Sequence, residues 1–397
     1  MESLLEKSAQ RVEQTSLFFV RSIMSQIEWN YRFIGIIGPR GVGKTTLLLQ
    51  YIKQNLQNNE HALYVSADNI WFSENKLVEL ADTFSKRGGK FLFLDEIHKY
   101  PNWSVELKNI YDDFPNLKVV FTGSSMLEIL NSKADLSRRA VVYYMQGLSF
   151  REYLNMNTNT NFEILNLTDL LKKQREFSSL VLNKVKPLEH FSAYLRHGYY
   201  PFYNESPALY YHRVEEIMNM ILEVELPLLR GVEVAYIPKL KQLLQIIAES
   251  VPFIPNVSKL SQRIGVERIT FVNYLYYLAE ARLTKHLFKD ADGINKLQKP
   301  DKIYLENSNL SYALVSANTD IGNIRETFFL NQLSYKNKIE YVNSGDFIVN
   351  DKYTFEVGGK SKTDEQIKNI KNSFVVSDNI EYGFGNKIPL WLFGFLY

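Results

Sequence analysis

Eight residues near the start of the chain carry the strongest chemical signal. Gly38-Pro39-Arg40-Gly41-Val42-Gly43-Lys44-Thr45 follows the spacing G-x-x-x-x-G-K-[ST]. Glycines at those places let the backbone take positive φ and bring N–H groups close to phosphate oxygens. A helix opening at Lys44 would add the partial positive charge of its N-terminus. The spacing therefore predicts a triphosphate cradle running from Gly38 to Thr46. Lys44 would reach the β- and γ-phosphates and the Thr45 hydroxyl would ligate Mg²⁺. ATP and Mg²⁺ are the expected cofactors. The competing reading is a glycine-rich strand-to-helix turn with a coincidental Lys-Thr.

Three further clusters fall at spacings that could complete such a site. Phe91-Leu92-Phe93-Leu94-Asp95-Glu96 ends an apolar run in two carboxylates, 51 residues after Lys44. Asp95 suits a second metal contact, and Glu96 is placed to orient or deprotonate an attacking water. Val119-Val120-Phe121-Thr122-Gly123-Ser124-Ser125 ends in small hydroxyls. Thr122 is the first candidate for sensing the γ-phosphate and Ser124 the second, while Ser124 or Ser125 would serve equally as a helix N-cap. Arg138-Arg139 offers an arginine for transition-state charge, in cis or across a subunit boundary. A solvated basic pair is the plain alternative there. His98, beside the acids, reads as a local hydrogen-bond partner.

The elements around these residues read as alternating strands and helices. Tyr31–Ile37, Ala62–Ser66, Lys90–Leu94, Leu117–Thr122 and Ala140–Met145 are strand-like, and Lys44–Leu56, Leu77–Phe84 and Trp103–Phe114 are helical. Strands alternating with helices imply an α/β fold, a parallel sheet covered on both faces. Apolar positions over 3–28 predict a lead-in helix. Asn155–Asn161 is polar and repetitive, which reads as a linker or exposed loop. The expected domains are a nucleotide-binding core over 1–155, a helical lid or linker region over 156–235, a winged-helix-like segment over 236–300 and a last α/β domain over 301–397.

The quoted residues are together similar to a widespread bacterial and archaeal AAA+-like ATPase family with an N-terminal P-loop domain and a C-terminal domain of uncharacterised function. The resemblance rests on Gly38–Thr45, on Leu94-Asp95-Glu96-Ile97-His98 with Pro101 and Trp103, and on Thr122-Gly123-Ser124-Ser125. It continues through Arg138-Arg139, Gly147-Leu148-Ser149-Phe150-Arg151-Glu152-Tyr153 and His197-Gly198-Tyr199-Tyr200-Pro201. The family more often has Gly-Arg where Arg138-Arg139 stands, so which arginine takes the finger role stays open. The resemblance implies an AAA+-like P-loop fold and ATP hydrolysis.

Residues 236–282 carry the helix, helix, turn, helix pattern of a winged helix. Its last helix has one basic residue and many aromatics, which favours packing or oligomer contact over phosphate contact. Farther on, a three-residue loop at Asn350-Asp351-Lys352 would pair 349 with 353 and set Asp346 opposite Glu356 on one face. Two carboxylates there could hold Mg²⁺, with Lys360 on the same strand face. This resembles the PD-(D/E)XK nuclease core, with Glu326 on the preceding helix as the extra acid. That core has lysine two residues after the glutamate, and here the position is Gly358; either Lys360 or Lys362 substitutes, or the site is degenerate and the nuclease-like fold serves binding alone. A two-residue loop would shift the register by one and put the two acids on opposite faces. The apolar tail from Ile388 to Tyr397 reads as a buried or covered edge strand.

Composition bounds the reading. Lys plus Arg is 46 against 44 Asp plus Glu, a net charge of +2, so no global field attracts nucleic acid. With no cysteine, thiolate catalysis, disulfides and Cys-ligated zinc are excluded. No signal-peptide pattern opens the sequence, and no run approaches the ~20 apolar residues of a membrane span. The expectation is a cytoplasmic, non-membrane Mg²⁺-dependent ATPase that switches or drives a C-terminal module engaging DNA or protein. A homo-oligomer fits the arginine pair. The alternatives are an ATP-regulated, Mg²⁺-dependent DNA nuclease and a signalling NTPase acting as an assembly switch.

Overall fold

A strand with no polar position needs cover on both faces, and Phe33–Ile37 (β1) is buried along its whole length. The structure, a computed structural model, describes residues 1–56, 61–123, 136, 138–289, 299–315 and 319–397. It divides into two units, Met1–Gly147 and Leu148–Tyr397.

In the first unit β1 lies inside a five-stranded parallel sheet. Ala62–Ser66 (β2), Phe91–Asp95 (β3), Lys118–Gly123 (β4) and Val141–Tyr144 (β5) complete it in the order β2-β3-β4-β1-β5. Glu2–Gln14 (α1), Lys44–Asn55 (α2), Leu77–Lys86 (α3) and Trp103–Asp113 (α4) cover it. One face packs Phe33, Leu63, Leu94 and Phe121 against Leu80, Phe84, Leu107 and Ile110. This is the P-loop NTPase architecture of AAA+-like proteins. The lead-in helix expected over 3–28 ends at Gln14. Beyond it the carbonyls of Ser16 and Phe19 accept from Gln50 Nε2, each at 2.8 Å, so the segment runs along α2 instead of continuing its own helical ladder.

The second unit opens with Phe150–Thr158 (α5), Leu167–Leu182 (α6) and Pro187–His197 (α7). The linker expected at Asn155–Asn161 is thus helical up to Thr158. Ser149 and Glu152 form a capping box at its start, and Asn157 and Thr158 turn their side chains back onto the carbonyls of Tyr153 and Leu154. Polar composition alone does not break a capped helix whose polar groups find local partners. Tyr210–Met220 (α8) passes through a π turn at Ile221–Glu225 into Leu226–Arg230 (α9). Ile237–Glu249 (α10), Val257–Ile264 (α11) and Arg268–Glu280 (α12) follow, then Thr284–Leu287 (β6) paired antiparallel with Lys302–Leu305 (β7). A bridge from Phe253 to Ile303 adds a third short edge.

After Ser308–Val315 (α13) and Ile321–Leu333 (α14) comes a second five-stranded sheet. Ile339–Glu340 (β8), Phe347–Val349 (β9) and Tyr353–Gly358 (β10) form an antiparallel meander. Ser373–Ser377 (β11) and Lys387–Pro389 (β12) extend it in parallel. The expected tail strand stops at Pro389, and Leu390–Phe395 coils as a buried 3₁₀ helix. Gly394 sits so close to Phe150 that an added Cβ would lie 2.4 Å from its Cβ. The tail is therefore pressed into the aromatic core of this unit.

Phe150 anchors that core, meeting Phe191 at 5.1 Å, Tyr194 at 5.4 Å and Phe395 at 6.2 Å between ring centroids. Phe150→Ala is expected to destabilise the second unit by about 3–5 kcal/mol. Chemical denaturation followed by tryptophan fluorescence checks this, since Trp391 packs against Phe395.

Candidate functional site

The phosphate loop joins β1 to α2. Gly38 is needed because the chain passes another strand's end: a Cβ on it would lie 2.0 Å from the Met145 carbonyl oxygen. Gly41 and Gly43 hold φ values of 77° and 95°, which favour glycine. The loop backbone is pinned from below by Arg21, a buried residue of the lead-in segment. Its guanidinium donates to the carbonyl of Val42 at 2.8 Å and to those of Gln146 and Gly147 at 2.7 and 3.0 Å. Nothing in the spacing of Arg21 points to this role. Lys44 is buried, and its ammonium donates to the carbonyls of Gly38 and Pro39 at 3.0 and 2.8 Å. Arg40, Thr45 and Thr46 stand at the more accessible rim.

Beside the loop, β3 delivers the acid pair. Asp95 is 3% exposed, and three hydroxyls hold its charge. Thr45 and Tyr64 donate to Oδ2, each at 2.7 Å, and Thr122 donates to Oδ1. A buried carboxylate needs donors of this kind. Thr45 thus brings the loop and the acid into contact, as metal ligation would require. Thr122 is fully buried; its oxygen also accepts from the Glu96 N–H at 3.0 Å. Its hydroxyl thus links the Asp95 carboxylate to the Glu96 backbone. Ser124, the second sensor candidate, lies outside the described residues. Tyr64 is a contributor that sequence reasoning missed, because an aromatic in a strand reads as core.

Glu96 occupies a left-handed conformation with φ 53°, unusual for a residue with a side chain and frequent at functional sites. Arg40 lies 3.4 Å from its carboxylate and Lys99 3.7 Å. His98 Nε2 is 3.8 Å away, but this contact is not an ion pair at neutral pH. Burial, then the positive charges of Arg40, Lys44 and Lys99, push the imidazole pKa down to about 3. Arg139 makes a two-pronged pair with Asp112, both distances 3.2 Å, while Arg138 is exposed.

A second cluster lies in the C-terminal sheet. The register is the one the three-residue loop predicts: Val349 pairs with Tyr353 and Phe347 with Phe355, which sets Asp346 beside Glu356 and Val357. Asp346 Oδ2 accepts from the Val357 N–H at 2.7 Å. Glu326 on α14 accepts from the Tyr304 hydroxyl at 2.7 Å. Burial, then the Asp346 charge, raises the Glu326 pKa to about 7, and burial is also the first cause of a raised Asp346.

Lys360 does not join these acids. It is exposed, and Lys362 pairs with Glu356 Oε1 instead. The strand ends at Gly358 and the chain turns, folding the Lys362 side chain back over it. A Cβ on Gly358 would come within 2.8 Å of Lys362 Cγ and Cδ. Burial alone would depress the Lys362 amine; the Glu356 carboxylate outweighs it and holds the pKa above the usual lysine value. Glu356 Oε2 is buried without a hydrogen-bond partner. Among the described residues no group of three His, Asp or Glu side chains is arranged to hold a metal ion.

Residues 30–154 match an AAA domain family, and residues 188–321 match a domain of unknown function, DUF8612. No curated protein matches the chain. Among solved structures, a Walker-type ATPase of Pyrococcus abyssi aligns at 13% identity and TM-score 0.46, over 78% of this chain and 95% of its own. AMPPCP-bound DnaA from Aquifex aeolicus aligns at 12% identity and TM-score 0.26, over 70% of this chain and 88% of its own. Domain III of the Thermotoga maritima replication initiation protein DnaA aligns at 16% identity and TM-score 0.26, over 39% of this chain and 66% of its own. Among the described residues no helix is long and apolar enough to cross a membrane.

The raised Glu326 has a consequence for stability. The folded form binds more protons than the unfolded between the ordinary glutamate value of 4.5 and about 7. Stability contributed by this group is therefore fullest below that window and falls as pH rises through it. In the presence of chelator, Glu326→Gln is expected to gain on wild type above pH 7, by about 3 kcal/mol at most, with little difference at pH 4.5. Denaturation midpoints at the two pH values check this.

Proposed function

We propose that the chain is a Mg²⁺-dependent ATPase whose first unit hydrolyses ATP and whose second unit engages a DNA or protein partner under nucleotide control. The observation that carries the reading is the bond from Thr45 to Asp95, which joins the phosphate loop to the buried acid of β3. The donor set fits a hard cation: a hydroxyl oxygen and a carboxylate, with phosphate oxygens to complete the shell. Bound Mg²⁺ would neutralise charge developing on the transferred phosphoryl group.

The chain's own residues would do the rest. Backbone amides from Gly38 to Thr46 grip the phosphates. Lys44 exchanges its carbonyl partners for phosphate oxygens. Glu96 takes the proton of, or orients, the attacking water, and Thr122 keeps the acid pair in register. Arg138 is exposed, which fits a finger offered to a neighbouring copy in a homo-oligomer; Arg139 is tied to Asp112. An assembly switch would use the same site with slow turnover.

Phosphate-release assays test the reading. Lys44→Ala is expected to lose nucleotide binding and turnover. Glu96→Gln should keep binding and lose about 100-fold or more in rate. Wild-type rates in both variants would contradict it.

A nuclease reading has one observation in its favour, the unpartnered Glu356 Oε2 beside Asp346 and Glu326. Against it stand the Lys362 ammonium beside Glu356 and the lack, among the described residues, of a three-acid metal group. We assign the C-terminal sheet a binding role. Supercoiled, linear and single-stranded DNA are expected to survive incubation with the protein in Mg²⁺ or Mn²⁺. Cleavage that disappears in Glu356→Ala would reverse the assignment.

A further inference from the structure

Asp95 is gripped from a side that the phosphate loop does not supply. Tyr64 lies in the middle of β2, the edge strand of the sheet. Its ring is buried and its hydroxyl donates to Asp95 Oδ2 at 2.7 Å. The same hydroxyl accepts from the Arg11 guanidinium at 3.1 Å, and that guanidinium sits 5.5 Å from the ring centre. Arg11 comes from α1, the helix that precedes the nucleotide-binding segment. That helix is fixed on the same residue by a second bond: the Tyr64 N–H, left over at the sheet edge, donates to buried Ser8 Oγ at 2.9 Å.

A phenol has one proton to give. With Arg11 donating to the phenol oxygen, that proton is left to Asp95. We infer that Tyr64 and Arg11 are positioning residues for the metal ligand Asp95, and that α1 thereby sets the affinity of the site for Mg²⁺. The inference rests on the ATPase reading above. Partners that orient a metal-binding carboxylate strongly tune its affinity. Because Thr45 shares Oδ2 with Tyr64, loss of the phenol hydroxyl lets the carboxylate rotate away from the loop hydroxyl. The first helix could then act as a control point, since any partner that lifts Arg11 off Tyr64 would weaken the metal site without touching the phosphate loop.

The test uses the full chain and the fluorescent nucleotide N-methylanthraniloyl-ATP, titrated with and without Mg²⁺. Tyr64→Phe is expected to raise the Mg²⁺ concentration for half-maximal nucleotide uptake about tenfold. Arg11→Met should raise it about threefold through the weakened phenol. Metal-free nucleotide affinity should stay at the wild-type value in both, which loss of folding would not allow. In an Asp95→Asn background, adding Tyr64→Phe should change nothing further. A wild-type Mg²⁺ midpoint in both single variants would overturn this inference and leave the ATPase reading intact. If wild type takes up no nucleotide with Mg²⁺, both fall together.

Discussion

A carboxylate charge taken out of water must be met by donors, and at Asp95 the donors come from three places in the chain. Thr45 lies in the first turn of α2, Thr122 near the end of β4 and Tyr64 in β2. They reach one side chain because the strand order puts β3 between β2 and β4 and the phosphate loop follows β1. Parallel pairing in this register brings Tyr64, Asp95 and Thr122 onto one face of the sheet. Arg21 and the close passage of Gly38 past Met145 fix the loop from the other side. The first unit is thus organised around one buried negative charge and the positively polarised loop beside it, the arrangement that a magnesium-bound triphosphate requires.

The C-terminal cluster solves a similar problem differently. Glu326, Asp346 and Glu356 bring like charges together under partial burial, which raises the pKa of Glu326 and Asp346, and the ammonium of Lys362 pairs with Glu356. The missing side chain of Gly358 makes room for that lysine. A metal at this cluster would have to compete with the lysine for Glu356.

Much of this was legible in sequence where local rules act. The phosphate loop, its flanking strand and helix, and the paired acids are all encoded within short windows, and the hairpin at Asn350-Asp351-Lys352 fixed its own register. What escaped depends on contacts distant in sequence. Of the two lysines the sequence offered, Lys362 rather than Lys360 meets Glu356 because the chain turns after Gly358, which strand periodicity cannot decide. The polar run at Asn155–Thr158 is helical because its cap and side-chain returns outweigh composition. The tail coils after Pro389 and packs Gly394 against Phe150, a contact far away in sequence. Tyr64 and Arg21 looked like ordinary core and surface residues; only the fold shows that their polar ends meet the site.

The central claim is that the loop and Asp95 together form a site for a metal-bound triphosphate. Isothermal calorimetry of the full chain with a non-hydrolysable ATP analogue tests it most directly, run once with Mg²⁺ and once with chelator. The account predicts one saturable site per chain whose affinity falls when the metal is removed. Absence of binding, or equal affinity with and without Mg²⁺, would contradict it.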